Sequence, residues 1–257
     1  MPSRGVWCAA AWAVPAVCFT VPRSALAQSP ATHIPTPAHK QAPVVVAFGS
    51  CGPDGKSGDP AENHLKNRTD TATSYTAVTF GAFRELFDPA TLEDSSRARW
   101  PHAVLQQIQK PEGVPVNLTG FLAEVTNADG LKHGARPEGA EATNCKLTTP
   151  SKIDWHLWVL PSADSLRRVS VVAEITPRLR AKHAGWTLAK LDRIAHDRIP
   201  VRVSGWTLFD PEHPDQLGQT RGTLWEIHPI TRIEVQSNGH WQAIDAWQPP
   251  GSTHKDD

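Results

Sequence analysis

VRVSGWTLFDPEHPDQLGQTRGTLWEIHPITRIEV, residues 201–235, decides how the chain is read. Val201, Val203 and Phe209 frame a run of β-branched and aromatic residues, the types that suit a pleated, half-buried surface. Asp210–Gly222 is a break rich in Pro, Asp and Gly, and beyond it Thr223, Trp225, Ile227, Ile233 and Val235 alternate with polar partners. A period of two on either side of a turn-rich loop predicts two strands, Val201–Asp210 and Gly222–Gln236.

Working upstream, LTGFLAEVT (Leu118–Thr126) reads as a first strand, with Gly120 at a bulge. Ile153–Leu160 and Arg167–Thr176 read as the second and third, each alternating. Asn127–Lys152, between the first two, is too polar and too rich in Gly and Pro to be an element. Thr176-Pro177 is a good helix start, because Thr accepts from free N–H groups and Pro suits the first turn. The helical stretch Arg178–Ile199 is divided at Gly185. The order β-β-β-α-β-β from 116 to 247 predicts a mainly β protein with an OB-fold-like five-stranded β-barrel. That fold takes ligands on its strand 2–3 face, between the loops joining strands 1–2 and 4–5. Here those loops are Asn127–Lys152 and Pro211–Arg221.

Residues 44–115 read as an N-terminal extension of loops and short helices packed on the barrel. Val44–Phe48 suggests an edge strand, Gly49–Asp59 a turn-rich loop and Glu62–Arg68 a charged turn. Phe80–Phe87 and Trp100–Gln109 have helical spacing. Residues 28–43 have the composition of a flexible tether. Gly239 onward reads as a packed turn, with residues 248–257 a loose tail.

The start of the chain implies an address. Arg4, the apolar run Val6–Phe19 and Ala25-Leu26-Ala27 make a secretory signal peptide cut after Ala27. The run is shorter than the roughly 20 apolar residues that cross a bilayer. The mature chain is therefore expected to be secreted or periplasmic, with no membrane span. Cleavage removes Arg4 and Arg23 and no acid, leaving 24 basic against 26 acidic residues. That balance lacks the positive excess of non-specific nucleic-acid binding. Cys51 and Cys145 are the cysteines of the mature chain, and in an exported protein they imply one disulfide.

ENHLKNR (62–68), EITPR (174–178), GWTLFDPEH (205–213) and RGTLWEIHPITRIEV (221–235) resemble a family of uncharacterised exported bacterial proteins. The likeness runs from about Gly49 to Val235. Where that family has Asp-Thr-His, this chain has Asp154-Trp155-His156, which keeps Asp-x-His. The resemblance implies one domain across the mature chain and carries no activity.

Strand parity then sorts the candidates for chemistry. With Trp155 and Leu157 inward, Asp154, His156 and Trp158 face the other way. Glu174 shares that parity on the third strand, and Glu226 and His228 share it on the fifth. His213, Glu212 and Arg221 join them from the strand 4–5 loop. Trp206 joins Trp158 as an aromatic platform unless Gly205 bulges and turns it inward. Three readings of this cluster stand open, one being a carboxylate that acts as general base, held by a histidine. The imidazoles and carboxylates, His156, His228 and Glu174 first among them, could bind a divalent metal and activate water. They could also merely pair across strands, since no fixed-interval ligand motif is present. The first function reading is a binding module for an oligosaccharide, peptide or oligonucleotide. A metal-dependent hydrolase or phosphodiesterase using Asp154, His156, Glu174, Glu226 and His228 is the second, and a structural envelope protein the third. Asn63, Lys66, Asn67 and Arg68 are expected to tie the extension to the barrel, and the basic stretch Arg178–Arg202 to be a solvated helix face. Ligand, partner and oligomeric state leave no mark in the sequence.

Overall fold

The computed structural model describes residues 29–89 and 96–250; the leader at 1–27 and the end of the tail at 251–257 lie outside the described residues. In chain order the elements are α1 (Pro60–Lys66), β1 (Thr76–Val78), α2 (Phe80–Arg84), α3 (His102–Gln109), β2 (Pro115–Leu122), β3 (Val125–Thr126), β4 (Lys132–His133), β5 (Arg136–Pro137), β6 (Trp155–Leu160), β7 (Val171–Ile175), α4 (Pro177–Arg180), α5 (Leu188–His196), β8 (Val201–Phe209), β9 (Trp225–Ser237) and β10 (His240–Ala243). Among the described residues no helix is long and apolar enough to cross a membrane.

The protein is mainly β, built on a mixed eight-stranded sheet ordered β1-β2-β8-β9-β7-β6-β5, with β10 off that path, paired with β9. Because β2 also pairs β6, the ladder turns back on itself as a partial ring. β8 pairs antiparallel with both β2 and β9. β7 meets β9 in parallel at Ala173 and Ile227. Two residue pairs, Phe121–Leu160 and Leu122–Val159, join β2 to β6.

Alternation explains which side chains the ring encloses. Leu118, Leu157, Val159, Val171, Ala173, Ile175, Val203, Ile227 and Ile233 share one core, against which Leu191 and Ile194 of α5 pack. Thr187 caps α5 by accepting from the Lys190 N–H. The opposite parity is not open to solvent. Trp158, Leu160 and Val172 form a second apolar cluster with Ala123 and Val125, and the polar residues of that face are buried too.

Glycines mark the corners. The β2–β8 register runs unbroken from Pro115 to Gly120, so the bulge expected at Gly120 is absent. Instead β2 passes there from β8 to β6, and a Cβ on Gly120 would sit 2.3 Å from the Leu160 carbonyl oxygen. The irregularity lies at Gly205, where the register against β9 shifts on both sides. Trp206 is consequently only 1% exposed, with the Arg68 guanidinium 3.4 Å over its ring. It does not join Trp158.

The extension departs from expectation in several places. Val44–Phe48 is not a strand; the Val44 carbonyl accepts from the Thr69 N–H at 2.6 Å. The expected charged turn at 62–68 begins inside α1, where the Asp59 carboxylate accepts from the Ala61 and Glu62 N–H groups. Periodicity missed that helix because capping rather than an apolar stripe sets it. In the expected tether, Ala31 pairs with Val78 and Ile34 is buried. Arg167–Val169 is a 3₁₀ turn ahead of β7, and β10 occupies the expected C-terminal turn.

The segment is tied down by side chains bonding backbone. The Asn63 amide donates to the Asp54 and Ser57 carbonyls, and the Asn67 amide to those of Pro53 and Thr143. Arg178 donates to the Asn67 Oδ1 and to the carbonyls of Val46, Cys51 and Gly52. Cys51 and Cys145 are bonded, linking the loop after residue 48 to the loop before β6. The basic stretch is spent in similar ways: Lys182 donates to the Thr69 carbonyl, Lys190 to that of Ile244, and Arg202 pairs with Glu234.

Candidate functional site

Strand register assembles the polar cluster. In the β6–β7 ladder His156 lies directly across from Glu174. The parallel contact of Ala173 with Ile227 sets Glu174 beside Glu226 and His228 on β9. Asp154 enters from the residue before β6, held by its carbonyl accepting from the Glu138 N–H at 2.9 Å. His156 Nε2 lies 2.5 Å from Glu174 Oε1, and His228 Nδ1 lies 3.0 Å from Glu174 Oε2. The two oxygens of one carboxylate thus face two different imidazoles.

The loop ahead of β6 completes the cluster. Glu138 Oε1 is 2.9 Å from His156 Nδ1, and Glu141 Oε1 is 3.9 Å from His156 Nε2. From the other side, Arg221 Nη1 donates to Asp210 Oδ2 at 2.9 Å and to Glu226 Oε1 at 2.7 Å. Glu138, Glu141 and Asp210 are functional candidates that the sequence did not single out. Alternation applies only within strands; Glu138 and Glu141 lie in loops, and Asp210, the last residue of the expected strand, falls just past the end of β8.

Several groups remain without a partner. Asp154 is 0% exposed and neither of its carboxylate oxygens has a hydrogen-bond donor. His228 is 1% exposed; its Nδ1 is close to Glu174 but outside hydrogen-bonding geometry, and its Nε2 has no partner. Glu226 Oε2 is likewise unmatched. Arg178 and Arg180 act on Asp154 electrostatically, but their hydrogen bonds go to other groups. An ionised carboxylate buried without a donor costs several kcal/mol, as an order of magnitude.

The electrostatics follow from crowding. Burial, joined by the charges on Asp154 and Glu174, pushes the Glu141 carboxyl up to about 10. Burial and Glu174 also push Glu226 up to about 8. Burial opposes charge on the imidazoles, yet Glu174 outweighs it, raising His228 to about 10 and His156 well above its ordinary value. Burial would raise Glu174 itself, but His156 and His228 hold it well below the carboxylate range. Asp210 is also held down, against its burial, by Lys66 and Arg221. A carboxyl raised as far as that of Glu141 keeps its proton at neutral pH unless a cation takes the proton's place.

Two sets of atoms have the chemistry to hold a cation, with ligand atoms within 4.8 Å of one another: Glu141, His156 and Glu174, and Asp154, Glu174 and His228. A third set, Glu62, Asp210 and Glu212, is already served by Lys66, 3.0 Å from Glu62 and 3.6 Å from Glu212.

Two small cavities meet at His156. One, of about 180 Å³, is lined by Asn63, Lys66, Glu138, Glu141, Thr143, Glu174, Asp210, Glu212 and His213 as well as His156. The other, of about 220 Å³, adds Arg136, Trp158, Arg167, Gln216, Thr220 and Arg221. Asp154 and His228 line neither. The structure therefore converges Asp154, His156, Glu174, Arg221, Glu226 and His228. It puts His213 and Trp158 at the cavity walls and Trp206 elsewhere, under Arg68. No protein family, curated protein or solved structure matches this chain.

Proposed function

We propose that the chain is a metal-dependent hydrolase of an anionic ester, a phosphoester by preference, working where the two cavities meet. The observation that carries this reading is the setting of His156. Its Nδ1 is anchored on Glu138, so Nε2 is aimed at Glu174 and Glu141 on the cavity wall. A metal-ligating imidazole usually donates its other ring N–H to a carboxylate, which fixes the ring's orientation. A divalent cation held there by Glu141, His156 and Glu174 would supply a water of lowered pKa and a Lewis acid for the ester.

The chain's own residues do the rest. Arg136 and Arg167 line the adjoining cavity, with Arg167 stacked 5.1 Å over Trp158. Guanidinium forks suit phosphate oxygens. His213, common to both cavities, is placed to pass a proton to the departing oxygen.

The ring of β2, β6, β7, β8 and β9, with α4 and α5 between the third and fourth, supports an OB-type barrel. Both loops expected to flank its ligand supply the site: Glu138 and Glu141 from one, His213, Gln216 and Arg221 from the other. A binding module without turnover would use the same place. The Cys51–Cys145 bond and the leader-like start support export from the cytoplasm.

The test is hydrolysis of bis(p-nitrophenyl) phosphate by the full chain with Mn²⁺ or Zn²⁺. Turnover that chelation abolishes and Glu141→Gln lowers at least tenfold supports the reading. Absence of turnover with every first-row divalent ion, in protein that binds the metal, leaves the binding module instead.

A further inference from the structure

We propose that Glu174 bridges two divalent cations: one in the cavity with Glu141 and His156, and a second, enclosed behind it, with Asp154 and His228. The proposal rests on the hydrolase reading for the first cation and goes beyond it for the second.

The bridge is laid out in Glu174, whose Oε1 serves His156 at 2.5 Å and whose Oε2 serves His228 at 3.0 Å. Each imidazole is accompanied by one further carboxylate, Glu141 for His156 and Asp154 for His228. The enclosed half is where the unmatched groups collect. Both oxygens of Asp154 and Nε2 of His228 lack hydrogen-bond partners, and these two residues are 0% and 1% exposed. Buried polar groups are otherwise almost always satisfied, so three such atoms beside one carboxylate define a place for a ligand. Charge agrees. Glu138, Glu141, Asp154, Glu174 and Glu226 share the space with cations already engaged: Arg221 is bonded to Asp210 and Glu226, Lys66 is paired with Glu62, Arg136 with Glu138 alone, and Arg178 and Arg180 reach Asp154 only electrostatically. Imidazole with carboxylate selects Zn²⁺, Mn²⁺ or Fe²⁺ over Mg²⁺ or Ca²⁺, which prefer oxygen alone. Asp154 and His228 line neither of these two cavities and are almost wholly buried, so the second cation is held as the protein folds and exchanges more slowly than the first.

The full chain is equilibrated with Mn²⁺, desalted and counted for metal by mass spectrometry, with paramagnetic resonance as the second readout. The expected result is two ions per chain with an exchange-coupled spectrum. Glu141→Gln and Asp154→Asn should each leave one ion and an uncoupled spectrum; Glu174→Gln should leave none. One ion in the native chain, lost in Glu141→Gln and kept in Asp154→Asn, overturns the second cation and spares the hydrolase reading. No ion in the native chain overturns both. If circular dichroism shows that Glu174→Gln is unfolded, the native count and the near-isosteric Asp154→Asn still decide.

Discussion

At the scale of single residues, orientation matters as much as ligation. Glu138 touches His156 on the nitrogen turned away from Glu174. Its replacement in Glu138→Gln keeps the shape and removes the charge that fixes the ring. Metal affinity should fall about 10–100-fold with the far-ultraviolet spectrum unchanged, as read by competition with a chromophoric chelator. Unchanged affinity would show that His156 needs no anchor. His133, on β4, offers a pH test away from this cluster. Its Nδ1 is 3.0 Å from Asp192 Oδ2 and its Nε2 is 2.9 Å from Asp129 Oδ2, and these bonds raise its pKa. A raised imidazole stabilises the fold fully below its unfolded value, about 6.5, and that support fades as pH rises through the folded value. Asp192 also accepts from the Gly134 N–H at 2.9 Å. Protection of the Gly134 amide from hydrogen exchange should thus decline as the pH climbs past the His133 midpoint, and His133→Gln should flatten the profile. A His133 midpoint at or below about 6.5 by NMR would contradict this.

At the scale of elements, the β8–β9 pairing depends on one absent side chain. A Cβ on Gly205 would sit 2.3 Å from the Pro229 carbonyl oxygen and 2.6 Å from Ile227 Cγ2. Backbone cannot yield as a flexible side chain can, so Gly205→Ala should cost about 1–3 kcal/mol. Urea unfolding measures it, and a loss under about 0.5 kcal/mol would mean that β9 tolerates displacement at Pro229. What was legible in the sequence divides along the same line. Alternation in β6, β7 and β9 located Leu157, Ala173 and Ile227 on one face and His156, Glu174 and His228 on the other, as the two clusters and the polar site show. It could not foresee that the second face is sealed, because the covering groups come from loops and from α1, which have no period. Nor could it find Glu138 and Glu141. Their positions are set by the Glu138 N–H bond to Asp154 and by the nearby disulfide, contacts distant in sequence. β1 is only three residues long, Thr76–Val78, too short for a periodic signal.

At the scale of the whole molecule, the N-terminal extension is the lid of the polar site, and the disulfide ties lid and wall together. Cys51 stands in the segment gripped by Arg178, and Cys145 stands four residues beyond Glu141. The bond spans 94 positions, so in the chain-entropy view its removal frees a large denatured-state loop, typically about 2–4 kcal/mol. The Asn67 amide bond to the Thr143 carbonyl and the Lys56 N–H bond to the Ala142 carbonyl are neutral links, each worth about 1 kcal/mol. They are weaker together than the covalent tie that keeps Glu141 facing His156. The double variant Cys51→Ser, Cys145→Ser should therefore show two separable losses. Global stability should fall by the amount above in denaturant titration. Metal affinity should also fall under conditions where the variant is fully folded, since the loop carrying Glu138 and Glu141 becomes free to open. Equal affinity in folded variant and native chain would mean that the strands alone define the metal site, with the extension serving only to exclude water from it.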